Sequence, residues 1–230
     1  MTDDIRERIE RVRESIHEAA RRAGRNGEVI TLIAVTKTFD AATVQRAVAA
    51  GARELGENRV QEAAAKAPLV SGENLRWHLI GHLQSNKAKA AVDLFDVIHS
   101  IDSRKLVERV DRLAGEAQRR PSVLIQVDIG REATKTGATE AELPDVVESL
   151  DRAQHLDFRG LMTIPPFCDD AENARPYFRR LREILEGLNR GRARRLTELS
   201  MGMSHDFEVA IEEGATMVRV GTAIFGSRDK

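Results

Sequence analysis

Short aliphatic runs alternate along this chain with longer segments whose apolar positions recur every three or four residues. The first segment, Asp3 to Gly24, places Ile5, Ile9, Val12, Ile16, Ala19 and Ala23 on one face. Charges of both signs fill the remainder, which predicts a solvated helix stopped at Gly24. Strands are predicted at Ile30–Thr36, Glu54–Gly56, Trp77–Ile80, Val97–Ser100, Val123–Ile129, Phe158–Ile164, Glu198–Met201 and Met217–Gly221. Helical patterns lie between them at Ala41–Ala50, Val60–Ala67, Ser85–Ala91, Ser103–Arg120, Glu140–Ala153, Ala171–Leu188 and Asp206–Glu213. Asp40, Thr139 and Ser103 stand at N-cap positions, and Gly51 and Gly214 at C-terminal stops.

Strict alternation of strand and helix leaves two architectures, a closed β/α barrel or an open doubly wound sheet. Eight short strands, at the pitch of about 20–30 residues expected of a (β/α) unit, favour the α/β (β/α)8 TIM barrel, with an extra N-terminal helix. No Gly/Ser/Pro-rich linker divides the chain, so residues 1–230 read as a single domain.

Composition narrows the function classes. Hydrophobic residues make up 41% of the chain, enough for a packed core, and the net charge of −1 gives no field directed at nucleic acid or a membrane surface. The arginine-rich stretch Arg175–Arg195 is interrupted by Glu183 and Glu186 and reads as a solvated helix and its exit loop. Cys168 is the only cysteine and has no internal disulfide partner, as in a reducing compartment. The charged start lacks the apolar core of a signal peptide, and no apolar stretch reaches a membrane-spanning length of about 18 residues. A cytoplasmic protein that binds neither nucleic acid nor membrane is expected. His78 and His99 have no Cys or acidic residue at ligand spacing, so no metal is expected.

In a β/α barrel, chemistry gathers at the carboxyl ends of the strands. Strand one ends at Lys37. Only seven of the 36 basic residues are lysine. A lysine at the tip of a core strand can do what arginine cannot: lose its proton and form a Schiff base with an aldehyde. Ser200-Met201-Gly202-Met203-Ser204 after strand seven and Gly221-Thr222 after strand eight supply small residues, hydroxyls and backbone amides suited to a phosphate. Arg219 lies within an otherwise apolar strand and needs a partner. Lysine, anion loops and buried arginine together describe a pyridoxal 5'-phosphate (PLP) site. A permanently charged guanidinium beside the pyridine nitrogen disfavours its protonation and weakens the electron sink, which argues against aminotransferase chemistry.

These segments resemble the pyridoxal phosphate homeostasis proteins, relatives of the alanine racemase N-terminal domain. The resemblance rests on Ile33–Thr38, Gly56–Glu62, Trp77–Lys87, Lys135–Gly137, Arg159–Ile164, Leu199–Ser204 and Met217–Gly226, in order over nearly the whole chain. It implies PLP on Lys37, with Asn58 near the cofactor and Ser200, Ser204, Gly221 and Thr222 serving its phosphate. Arg219 would face the ring nitrogen, Met162 would form a wall, and His82 would approach from loop three. It also implies a carrier that buffers or delivers PLP, partnered at most by PLP-requiring apo-enzymes, monomeric and without substantial turnover. The chain departs from the family pattern at Thr38-Phe39-Asp40, where a proline is usual. It also departs at Thr136, in place of serine, and at His205, in place of an acidic residue.

The alternative is a PLP-dependent amino-acid racemase. That chemistry needs a base on each face of the cofactor. Lys37 could serve one face, but the only tyrosine, Tyr177, falls on the helix after strand six, and the chain ends soon after strand eight. Lys135, in the loop after strand five, reads as a surface lysine rather than a second aldehyde acceptor, and Cys168 as a thiol without a role.

Overall fold

The computed structural model describes residues 4–130 and 136–226. Its eight strands are β1 (Thr31–Val35), β2 (Glu54–Glu57), β3 (Arg76–Leu79), β4 (Val97–Ile101), β5 (Ser122–Gln126), β6 (Asp157–Met162), β7 (Glu198–Met203) and β8 (Met217–Val220). All neighbours run parallel, and β8 pairs back onto β1 with Leu32 opposite Val218 and Ile33 opposite Arg219. The sheet therefore closes as a barrel in sequence order, the predicted architecture.

Helices α1 (Ile5–Arg22), α2 (Ala41–Ala49), α3 (Val60–Lys66), α4 (Ala88–Leu94), α5 (Arg104–Glu116), α6 (Leu143–Arg152), α7 (Arg175–Leu188) and α8 (Phe207–Glu212) surround it. Ile5, Ile9, Val12 and Ile16 are buried along α1, as their spacing predicts. The Asp40 side chain caps α2 by accepting from the Thr43 amide at 2.8 Å, whereas Ser103 makes no capping bond at α5. The main apolar core fills the shell between strands and helices. A smaller cluster, Val97, Leu124 and Met162, packs separately, inside the barrel.

Several details differ from the sequence reading. β5 stops at Gln126 because the chain turns away to bridge Val127 with Ala138. α6 starts at Leu143 because the Glu142 carboxylate folds back to accept from the amide and hydroxyl of Thr139, closing a turn first. The four-residue helix α9 (Thr222–Phe225) is too short for periodicity to reveal.

The arginines of α7 are held within the fold. Arg175, Arg179 and Arg182 converge on the buried Glu213 after α8. Burial works against ionisation of Glu213, but the hydrogen bonds from Arg179 and Arg175 outweigh it and keep its carboxyl below the ordinary range. Among the described residues, no helix is long and apolar enough to cross a membrane.

Candidate functional site

A cavity of about 450 Å³ opens at the carboxyl ends of the strands. Its size falls within the range of about 300–1,000 Å³ usual for small-molecule sites. Lys37, Asn58, His82, Ser204, Arg219, Gly221 and Thr222 all line it. Residues separated by up to 185 positions in sequence are thus brought together because each follows, or ends, a barrel strand.

Lys37 is fixed from below. The hydroxyl of Thr36 donates to Glu57 Oε1 at 2.6 Å, and Lys66 Nζ donates to the same oxygen and to the Thr36 carbonyl, each at 2.8 Å. Glu57 is fully buried. Burial raises its pKa, against the opposing hydrogen bonds from Lys66 and Thr36. Beyond Lys37 the chain turns sharply at Thr38, a β-branched residue with φ of +70°. Such a conformation stores strain, and the Glu62 carboxylate holds it by accepting from the Thr38 amide at 3.2 Å. Phe39 then stacks on Phe225 with ring centroids 4.7 Å apart, tying the loop after β1 to α9.

Asn58 and His82 enter from neighbouring loops. These loops touch closely: a Cβ at Gly81 would lie 2.3 Å from the Asn58 carbonyl oxygen. Only glycine permits that approach. His82 Nδ1 lies 3.4 Å from the carboxylate of Asp102, at the end of the next strand.

After β7, Ser204 Oγ accepts from the amides of Gly221 at 3.2 Å and Ala223 at 3.4 Å. Hydroxyl and amides therefore converge on one small volume beside the exposed Thr222. The loop reaches it because Gly202 takes φ of +93°, where a Cβ would lie 2.6 Å from that of Ala210.

Arg219 forms part of the cavity floor, and only 3% of it is exposed. It donates to Ser200 Oγ at 2.7 Å and to the Thr163 carbonyl at 2.8 Å. Burial lowers its pKa to about 10, opposed by the charge of Asp206, so it remains a cation at neutral pH.

Two expected residues lie elsewhere. Ser200 is fully buried and does not line the cavity; its hydroxyl is engaged by Arg219 and by His99 Nδ1 at 2.9 Å. It is therefore not among the cavity's anion donors. Met162 is fully buried with Val97 and Leu124 rather than forming a wall. Lys135 lies outside the described residues.

Sequence reasoning missed Asp206, whose carboxylate lines the cavity and accepts from the Met203 amide at 2.6 Å. It also missed Gln126, whose side-chain amide donates to the Thr136 carbonyl at 2.6 Å. Both read as ordinary loop or strand-end polar residues, and nothing local marks them. The remaining walls are largely apolar, formed by Val35, Ile80, Ile164, Pro166 and Met203, with Cys168 half-buried among them. Phe167 is 79% exposed at the mouth, with its ring centroid 5.9 Å from that of His205.

An amine, a buried cation, converging hydroxyl and amide donors, and apolar walls fit an aromatic aldehyde carrying a phosphate. The donor set thus matches the chemistry of PLP.

The model of the alanine racemase N-terminal domain matches residues 8–229 of the chain. A protein of Aquifex aeolicus named "Pyridoxal phosphate homeostasis protein" is 42% identical over 222 residues, 96% of this chain and 97% of its own. A Pseudomonas aeruginosa protein of the same name is 43% identical over 225 residues, 98% of this chain and 96% of its own. The solved structure of PipY from Synechococcus elongatus, with PLP bound, superposes with a TM-score of 0.86 at 43% identity, covering 97% of this chain and all of PipY.

Proposed function

We propose, on the premise that the chain belongs to the alanine racemase N-terminal domain family and within it to the pyridoxal phosphate homeostasis proteins, that it binds PLP and serves its homeostasis by buffering or delivering it. The observation that carries this reading is the convergence of Lys37, Arg219, Ser204 and the Gly221 amide on one cavity at the carboxyl ends of β1, β7 and β8.

When bound, the cofactor supplies an aldehyde at a pyridine ring. Lys37 would hold the cofactor through its amine, among the described residues the one lining amine able to act as a nucleophile toward an aldehyde. Arg219 would face the ring nitrogen, where its permanent charge would disfavour protonation. The hydroxyl of Ser204, its oxygen held by the Gly221 amide, and that of Thr222 would bind the phosphate at the other end of the cofactor. Asn58 and His82 would orient the ring from loops two and three. The apolar walls would pack against the ring and limit water around it. The whole barrel, residues 1–230, acts as one binding unit, monomeric and cytoplasmic, and hands PLP to apo-enzymes that require it.

Carrier function needs no second base on the other face of the cofactor. Among the described residues no tyrosine lines the cavity; Tyr177 lies on α7. The mouth at Phe167 and His205 leaves room for exchange with solvent. The test is α-proton exchange of L- and D-amino acids in D₂O by the PLP-loaded protein, run beside transfer of PLP to an apo-enzyme. Transfer with exchange far below about 1 s⁻¹ is expected. Exchange above that rate supports a racemase instead.

A further inference from the structure

A line of polar side chains crosses the barrel interior from its amino end to the cavity floor. Glu54, at the start of β2, is close to Arg76 Nη1 (3.4 Å) and lines a separate cavity beneath the barrel with Arg13 and Thr31. Its Oε2 lies 2.5 Å from His78 Nε2 on β3. His78 Nδ1 lies 2.8 Å from His99 Nε2 on β4. His99 Nδ1 lies 2.9 Å from Ser200 Oγ on β7, which accepts from Arg219 on β8. His78, His99 and Ser200 are fully buried.

We propose that Glu54, His78 and His99 are positioning residues for the PLP site, forming with Ser200 a one-directional hydrogen-bond chain that fixes the guanidinium of Arg219 at the cavity floor. The proposal rests on the function inferred above and adds residues remote from the cavity to it.

The direction follows from donor and acceptor inventory. A carboxylate only accepts, and a neutral imidazole has one donor and one acceptor. With Glu54 ionised, His78 must donate from Nε2, which makes its Nδ1 an acceptor. His99 then donates from Nε2 and accepts at Nδ1. Ser200 fills that acceptor with its hydroxyl proton and presents its oxygen lone pairs to Arg219. An arginine only donates, so the chain is satisfied at both ends. Burial favours the neutral form of both imidazoles, consistent with this assignment.

Two N–H groups of Arg219 are spent on Ser200 and Thr163, so three of its five remain for a ligand. Aliphatic side chains could fill the same interior without burying polar groups, as Val97, Leu124 and Met162 do beside them. What the polar chain adds is a second buried partner, beside the Thr163 carbonyl, that fixes the orientation of the cation.

The chain is tested on full-length, ¹⁵N-labelled protein by long-range ¹H–¹⁵N spectroscopy of the imidazoles from pH 6 to 8. His78 and His99 should both be neutral Nε2–H tautomers throughout. An imidazolium or an Nδ1–H tautomer at either ring would overturn the assignment. Glu54→Gln, close in shape and far from the cavity, removes the obligatory acceptor and lets the chain reverse. An Nδ1–H population should then appear at both rings. Affinities for PLP and pyridoxal should fall together by about two- to thirtyfold, the range for residues coupled through a packed network, while that for inorganic phosphate holds. Unchanged tautomers and affinities in Glu54→Gln would refute the positioning role. If the unaltered chain binds no PLP, the proposed function fails and with it the purpose assigned to Arg219, while the tautomers still decide whether the chain exists.

Discussion

The ammonium of Lys66 lies 2.8 Å from the carboxylate of the fully buried Glu57, directly beneath the backbone that presents Lys37. The same ammonium holds the carbonyl of Thr36. A lysine on α3 thus fixes the exit of β1 without itself lining the main cavity.

Lys66→Met should therefore be costly. It leaves the Glu57 carboxylate buried without a counter-ion, and such a loss is worth about 3–5 kcal/mol. The double variant Lys66→Met/Glu57→Gln removes both charges and should recover most of that loss. Urea unfolding measures both. A single variant within about 1 kcal/mol of the parent would mean that water reaches the carboxylate.

Acid should destabilise the barrel before most surface carboxylates protonate. Burial lowers the pKa of His78 and, more strongly, of His99 from the ordinary value of about 6.5. Between each folded pKa and about 6.5 the unfolded chain binds more protons than the folded one, so stability rises with pH there. Burial opposes ionisation of Glu54, but the hydrogen bond from His78, together with the charge and hydrogen bond of Arg76, prevails and lowers its pKa. That contribution is present above the ordinary glutamate range and is lost as pH falls through the folded value. All three groups act in the same direction. The urea midpoint should decline steadily from about pH 6.5 downward, and flat stability to pH 5 would contradict neutral interior histidines.

Ser204→Ala and Thr222→Ala each remove one hydroxyl donor to a phosphate dianion. A hydrogen bond to a charged group is worth about 1.5–3 kcal/mol, so PLP affinity should fall roughly ten- to a hundredfold. Pyridoxal, without the phosphate, should bind parent and variants alike. Ser200→Ala should weaken both ligands together, because Ser200 acts through Arg219. Selective loss of PLP affinity in Ser200→Ala would restore it to the phosphate site.

The barrel was legible in the sequence because each unit obeys its local period. Ile5, Ile9, Val12 and Ile16 mark α1, and the run from Ile30 marks β1, whatever lies beyond them. Lys37 and Arg219 were legible because each is chemically out of place, one a rare lysine at a core strand's tip and the other a charge inside an apolar strand. Ser200 and Ser204 belong to the same motif but face different ways. β7 continues through Gly202 to Met203, leaving Ser200 in the barrel interior and Ser204 in the loop beyond. Strand alternation without a known strand end does not decide that. The Glu54–His78–His99 line was invisible because its members sit on successive strands, joined only by barrel closure and register. Asp206 was read as the start of α8, and its place near Arg219 depends on a turn that no periodicity encodes.

The most direct test is the position of the covalent link. The purified protein is loaded with PLP, reduced with borohydride and digested with trypsin, and the pyridoxyl group is located by mass spectrometry. The adduct should sit on Lys37, and Lys37→Ala should lose it while keeping the circular dichroism of the folded barrel. An adduct mainly on another lysine, or one that survives in Lys37→Ala at the parent's level, would contradict the account.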